Sequence, residues 1–133
     1  MALGLGTAVG DVNEDGKVDF LIVDFPNVNL FLGNGDGTFQ SPQSIYTGES
    51  GPMNVADLDG DGHLDVAVSA ESFAGLVVLR GRGDGTFGAL VDYPMGTIFS
   101  GNFVFSDLNG DGRPEAIVSD IETSLTVLLN LAH

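Results

Sequence analysis

Cysteine and tryptophan are both absent from these 133 residues, and each absence closes a class of explanation. Without cysteine there is neither a disulfide framework nor a thiolate metal site. Basic residues number four against nineteen acids, for a formal charge of −15. Phosphate contacts need Lys and Arg, so nucleic acid and anionic membrane surfaces are excluded as partners. Histidine occurs only as His63 and His133, and no serine stands in a nucleophile-elbow context, so the chain is expected not to be an enzyme. No apolar run approaches the ~20 residues of a membrane-spanning helix. The opening Met1-Ala-Leu-Gly-Leu-Gly6 has neither the charged nor the apolar region of a signal peptide, so any export signal lies outside this chain. With 20 glycines and dense turn signals, no eleven-residue window carries a 3.6-residue period, and no helix is expected.

What remains is apolar, acidic and repetitive. Hydrophobic residues make up 43%, enough for a real core, and 133 residues suit one domain better than two. A nine-residue string then appears three times. The copies are Asp11-Val-Asn-Glu-Asp-Gly-Lys-Val-Asp19, Asp57-Leu-Asp-Gly-Asp-Gly-His-Leu-Asp65 and Asp107-Leu-Asn-Gly-Asp-Gly-Arg-Pro-Glu115. Each places oxygen-bearing side chains at positions 1, 3, 5 and 9 and glycine at position 6. A hard cation such as Ca2+ takes six to eight oxygens at roughly 2.3–2.6 Å, and alternate residues of a tight loop can point at one centre. Glycine permits the sharp turn that returns position 9 to that centre, and the carbonyl of position 7 can add a ligand. Three copies in one register point to bound Ca2+, up to three ions. An EF-hand is excluded, because position 12 is Ile22, Val68 or Val118 instead of an acid, and the flanking segments read as strands. The crowded acids account for much of the charge, and divalent cations would offset part of it.

The repeat organises the rest of the chain. Asp11, Asp57 and Asp107 are spaced by 46 and 50 residues, in the range of propeller blades. A short apolar segment precedes each loop: Thr7–Val9, Met53–Val55 and Phe103–Phe105. A β-branched run follows it: Phe20–Val23, Val66–Val68 and Ala116–Val118. A third strand is expected at Val28–Leu32, Leu76–Leu79 and Leu125–Leu129. In the first two repeats a glycine turn follows, Leu32-Gly-Asn-Gly-Asp-Gly-Thr-Phe39 and Leu79-Arg-Gly-Arg-Gly-Asp-Gly-Thr-Phe87, and then an outer strand around Ser44–Tyr46 or Ala89–Val91. The third repeat stops at Leu129–His133, where its turn would begin. The fold expected is all-β: consecutive four-stranded antiparallel propeller blades, about three in an incomplete ring. They form one partial β-propeller over 1–133, with repeats at about 1–48, 49–97 and 98–133.

With both motifs in view, the chain resembles the FG-GAP/VCBS repeats of integrin-α-like β-propellers. The resemblance implies a Ca2+-binding loop between the first and second strands of each blade. Its ligands would be Asp11, Asn13, Asp15 and Asp19 with the Lys17 carbonyl, then Asp57, Asp59, Asp61 and Asp65 with the His63 carbonyl. The third set would be Asp107, Asn109, Asp111 and Glu115 with the Arg113 carbonyl. Glu115 departs from the usual Asp at position 9, so its longer reach changes the possible denticity. The second loop, with four carboxylates, is expected to bind tightest.

Function follows as expectation: a calcium-binding propeller module serving as an extracellular structural, adhesion or recognition scaffold. Loops of this kind often bind at roughly 10⁻⁴–10⁻³ M, the level of extracellular modules. The alternative is a lectin-like carbohydrate-binding module. Tyr46 and Tyr93 stand at matching places on the outer strands, as a repeated shallow sugar site or as rim packing. The phenylalanines Phe39, Phe87, Phe103 and Phe105 read as core or blade-to-blade contacts. Arg82-Gly83-Asp84 spells a tripeptide that integrins recognise, but the matching turn supplies Asn34-Gly35-Asp36, so Gly-Asp belongs to the turn. The uncovered faces of the first and last blades call for self-association into a closed ring, most simply as a dimer, or for further blades of a longer parent chain. The ligand of such a scaffold would be a protein or a glycan.

Overall fold

The computed structural model describes residues 6–24, 26–48, 51–70, 75–94, 103–119 and 125–128, with the backbone alone for 70, 89, 93, 94, 118, 119 and 125–128. Eleven strands and no helix are found among them. Strands β1 (Thr7–Gly10), β2 (Asp19–Asp24), β3 (Asn27–Phe31) and β4 (Gln43–Thr47) form one sheet in sequence order. Strands β5 (Met53–Ala56), β6 (Asp65–Ala70), β7 (Gly75–Gly81) and β8 (Phe87–Pro94) form the second in the same way. Strands β9 (Phe103–Ser106), β10 (Glu115–Ser119) and β11 (Leu125–Leu128) form the third, again in order. Every pairing is antiparallel, and each acidic loop joins the first strand of its sheet to the second. These are consecutive propeller blades that do not close a ring. The chain end expected at Leu129–His133 lies outside the described residues, as does His133.

The two outer sheets and the middle one differ in burial, and the sequence shows why. Strand β2 alternates: Asp19, Leu21 and Val23 are buried, while Phe20 and Ile22 are half-buried. In β6 and β7, Val66-Ala67-Val68 and Leu76-Val77-Val78-Leu79 are buried without alternation, as expected for a sheet covered on both faces. Two apolar clusters do the covering. Leu21, Val23, Val28 and Leu30 of the first sheet pack with Met53, Val66, Val68 and Leu79 of the second. Leu58, Ala67, Leu76 and Val78 of the second pack with Phe103 of the third, flanked by Ala56 and Phe105. Truncating Leu21 or Leu79, both fully buried, to Ala would cost about 2–5 kcal/mol.

The aromatic expectations divide. Phe103 is buried edge-on to Phe105 at 5.5 Å, and Phe87 packs against the first cluster. Phe39 departs from expectation: it is exposed, with its ring 6.2 Å from Phe20 and no blade packed over it among the described residues. The two tyrosines do occupy matching places, since Tyr46 faces Val28 and Tyr93 faces Leu76 in the same register. Tyr46 is half-buried against the first cluster, in the manner of rim packing; the Tyr93 side chain lies outside the described residues.

Candidate metal centres

Each acidic loop is wound by its own backbone hydrogen bonds. The position 1 carboxylate accepts the N–H groups of positions 5 and 6: Asp11 from Asp15 and Gly16, Asp57 from Asp61 and Gly62, Asp107 from Asp111 and Gly112, at 2.8–3.2 Å. The position 5 carboxylates of Asp15, Asp61 and Asp111 each accept the N–H of position 7, from Lys17, His63 and Arg113, at 2.9 Å. The glycines at position 6 have φ between 83° and 91°, in the left-handed region that a side chain disfavours. Position 4 holds Gly60 and Gly110 with φ of 78° and 77°, but in the first loop Glu14 takes φ 58°, at a cost in backbone strain.

Position 9 ties the loop to the rest of the blade. Asp19 is buried, with Oδ2 accepting the N–H of Val12 and Oδ1 that of Gly33, both at 2.9 Å. Asp65 repeats this with Leu58 and Gly81 at 2.8 Å. Glu115 binds the N–H of Leu108 at 2.8 Å through Oε2, while its Oε1 is buried without a hydrogen-bond partner among the described residues.

The role of Gly33 and Gly81 was not legible in the sequence. The glycine turns require positive φ at Gly35, Gly37, Gly83 and Gly85, as their sequence suggests. Gly33 and Gly81 are glycine for another reason. A Cβ on either would collide with the backbone carbonyl of Val18 or Leu64, the residue just before position 9. The turn therefore presses onto the loop and donates its N–H to the position 9 acid. The available signal was a glycine opening the turn after the third strand in both repeats, fourteen residues after Asp19 at Gly33 and sixteen after Asp65 at Gly81.

The three loops converge to different degrees. Carboxylate oxygens of Asp57, Asp59 and Asp61 lie within 4.8 Å of one another, as do those of Asp107, Asp111 and Glu115. Asp65 stands outside the first of these groups, and no such group is formed by the acids of the first loop. There Asn13 turns its Nδ2 to Asp15 at 3.2 Å, and its Oδ1 is buried without a hydrogen-bond partner among the described residues. In the other loops position 3 instead accepts the N–H of position 5, at 3.1 Å from Asp61 to Asp59 and from Asp111 to Asn109.

Neighbouring groups adjust these acids. Burial pushes the Asp65 carboxyl above its ordinary 3.8; hydrogen bonds from Gly81 and Leu58 offset part of that, and the like charges of Asp59 and Asp61 add to it. Burial also acts to raise Asp59, but hydrogen bonds from Asp61 and the Arg80 guanidinium outweigh it and hold Asp59 below 3.8. The ring of His63 is hydrogen-bonded at 2.5 Å to Glu14 of the first loop, which raises the His63 pKa above 6.5. That contact joins two loops of successive blades.

Asp84 and Asp36 belong to the glycine turns alone. Asp36 accepts the N–H and hydroxyl of Thr38, and Asp84 those of Thr86. Arg82 donates to the Phe87 carbonyl at 2.9 Å, so the Arg-Gly-Asp string is held as a turn element.

Stacked antiparallel sheets, each carrying an acidic loop between its first two strands, define a propeller-blade repeat protein. The chain belongs to the FG-GAP-like repeat family, whose sequence model matches residues 11–68 and again 57–118. No curated protein matches it. Among solved structures, it is similar to an Agrocybe aegerita lectin described as recognising non-reducing terminal N-acetylglucosamine, with 24% identity and a TM-score of 0.68. That match covers 93% of this chain and 34% of the lectin. It is also similar to the Photorhabdus luminescens Tc holotoxin pore, at 22% identity and TM-score 0.64, covering 92% of this chain and 6% of that one. A TcdB2–TccC3–Cdc42 structure matches at 20% identity and TM-score 0.59, over 93% of this chain and 6% of that chain. The chain thus spans about a third of the lectin and a small part of the other two chains, and the likeness is one of fold.

Proposed function

We propose that this chain is a calcium-binding propeller module that serves as an extracellular recognition or structural scaffold and not as an enzyme. The observation that carries the metal reading is where unsatisfied oxygen is found. The two buried side-chain oxygens without a partner among the described residues, Asn13 Oδ1 and Glu115 Oε1, both sit at ligand positions of the acidic loops. A buried acceptor left unpaired costs about 1–3 kcal/mol, and a cation removes that cost. The donor set is entirely oxygen, which suits a hard cation, and the gathered carboxylates repel until one arrives.

In this reading Asp57, Asp59 and Asp61 would hold one Ca2+ and Asp107, Asp111 and Glu115 another, each with the remaining positions of its loop. Asp11, Asn13, Asp15 and Asp19 would hold a third. The ion supplies positive charge at a loop that its backbone has already wound. Asp19 and Asp65 transmit the loop's order to the glycine turns through Gly33 and Gly81.

Titration calorimetry and thermal melting test the proposal. Binding to the native state alone stabilises by RT ln(1 + [L]/Kd), about 2.7 kcal/mol at a hundredfold excess over Kd. The melting temperature is expected to rise with millimolar Ca2+ and to fall on chelation. No heat and no shift would remove the metal reading. The sugar-binding alternative has less support here, because Tyr46 packs against the core. Specific, Ca2+-dependent signals on a glycan array would restore it.

A further inference from the structure

The interface between successive blades follows a fixed rule, and the chain carries an unfilled copy of each half of it. The second sheet meets the first through Val55, Leu64, Val66, Val68, Leu79 and Phe87, all packed in the cluster between those two sheets. The pairing register gives their counterparts one blade earlier. Val9 pairs Phe20 and Phe20 pairs Phe31, just as Val55 pairs Val66 and Val66 pairs Leu79. The corresponding surface of the first sheet is therefore Val9, Val18, Phe20, Ile22, Phe31 and Phe39. None of these is buried: Val9 and Val18 are 60% exposed and Phe39 47%. Phe20 bridges Phe31 and Phe39, with centroids 6.2 Å from each, so the patch is a continuous aromatic surface.

The opposite half stands at the other end. Asn54, Leu58 and Ala67 are where the second sheet meets the third: Leu58 and Ala67 pack around Phe103, and Asn54 donates to its carbonyl at 3.1 Å. Asn54 pairs Ala67 as Val104 pairs Ile117, so the matching set in the third sheet is Val104, Leu108 and Ile117. Leu58 is 7% exposed, whereas Leu108 is 53% and Val104 51% exposed. The first junction is mainly aliphatic on both sides, whereas at the second an aromatic surface meets a small aliphatic one, as Phe103 and Phe105 meet Ala67 and Ala56. The free ends keep that complementarity: phenylalanines on the first sheet, Val, Leu and Ile on the third.

We propose that the first sheet's Phe20–Phe31–Phe39 surface docks against the Val104–Leu108–Ile117 surface of a second copy of this chain. The contact continues the blade-to-blade packing already present within one chain. Made twice around a two-fold axis, it covers both ends of both copies and leaves no apolar sheet face in water.

The test is the mass of the particle in solution, by light scattering at physiological salt with millimolar Ca2+. The expected mass is twice the 13.8 kDa of one chain. Val9→Glu and Val104→Glu, both at exposed positions, should each reduce it to one chain. Mixed together they should associate again, because each retains the half that the other has lost. Phe39→Ser and Leu108→Ser repeat the experiment on the same two surfaces, and melting curves that match the parent protein diluted to a single chain exclude misfolding. A single-chain mass at high concentration overturns the proposal. So does an assembly broken by Val9→Glu but left intact by Val104→Glu, or a mixture that stays monomeric, since either denies head-to-tail docking.

Discussion

The Arg80 guanidinium donates a 2.6 Å hydrogen bond to Asp59 Oδ2, so one carboxylate of the second loop already has a cation beside it. Arg80 stands where the first blade has Leu32, one residue before the glycine that meets the position 9 acid. Four carboxylates favour the second loop for affinity, but this pairing works against one of them. Arg80→Met should release Asp59 and tighten Ca2+ at that loop. The pair is partly exposed and screened, so the gain is expected to be at most about fivefold in Kd, corresponding to roughly 1 kcal/mol. Calorimetry on the variant checks this; weaker binding would mean that Arg80 supports the loop instead of competing for it.

Gly81→Ala should be among the most damaging small changes available. Its Cβ would meet the Leu64 carbonyl, which is backbone and cannot swing aside. Movement would also stretch the 2.8 Å bond from Gly81 N–H to Asp65. The expected loss is about 2–3 kcal/mol. Gly62→Ala meets only the cost of φ 91°, with open space around it, and should lose about 1–2 kcal/mol. Urea denaturation of both variants gives the order; equal losses would show that the turn does not press on the loop.

The fold was legible because its signals are local and repeated. Alternation in β2, unbroken apolar runs in β6 and β7, and a blade period near 48 residues each follow from the order of the residues alone. Phe39 was misread because a motif shared with Phe87 does not say which copy has a neighbour: Phe87 is packed against the first sheet, and Phe39 has no sheet over it among the described residues. The loops were legible as oxygen-rich turns. Their unequal convergence was not, because it turns on side-chain orientation, as where Asn13 turns its Nδ2 to Asp15; nor were the contacts that tie loops to other parts of the chain. Arg80 reaching Asp59 and Glu14 reaching His63 are long-range pairings that no spacing rule encodes.

The glycine turns carry a pH dependence of defined sign. The hydroxyl and N–H of Thr86 hold Asp84 below its ordinary 3.8, and Thr38 does the same for Asp36. A carboxyl depressed in the folded state stabilises the fold above the unfolded value and loses that contribution as pH falls through the folded one. Asp84→Ala should therefore melt below the parent protein at neutral pH, and the gap should narrow only below about pH 3.8. Melting curves across that range are the measurement. A gap that closes near pH 6 would show that the Asp84 carboxylate does not set it.

Asp61→Ala separates the loop from the turn. Its carboxylate is one of three gathered oxygens in the second loop and also accepts the His63 N–H at 2.9 Å. Removing it leaves Asp57 and Asp59 with a weakened centre and the buried Asp65 beneath them. One ion should disappear from the stoichiometry. The melting temperature in saturating Ca2+ should fall by on the order of 10 °C, the size expected when a ligand worth about 2.7 kcal/mol is lost. Without Ca2+ the sign is expected to reverse or vanish, since the variant then carries one fewer repelling charge. Asp84→Ala, which touches only its own turn, should keep every ion. If Asp61→Ala binds as many ions as the parent protein, the acidic loop is a wound turn and nothing more.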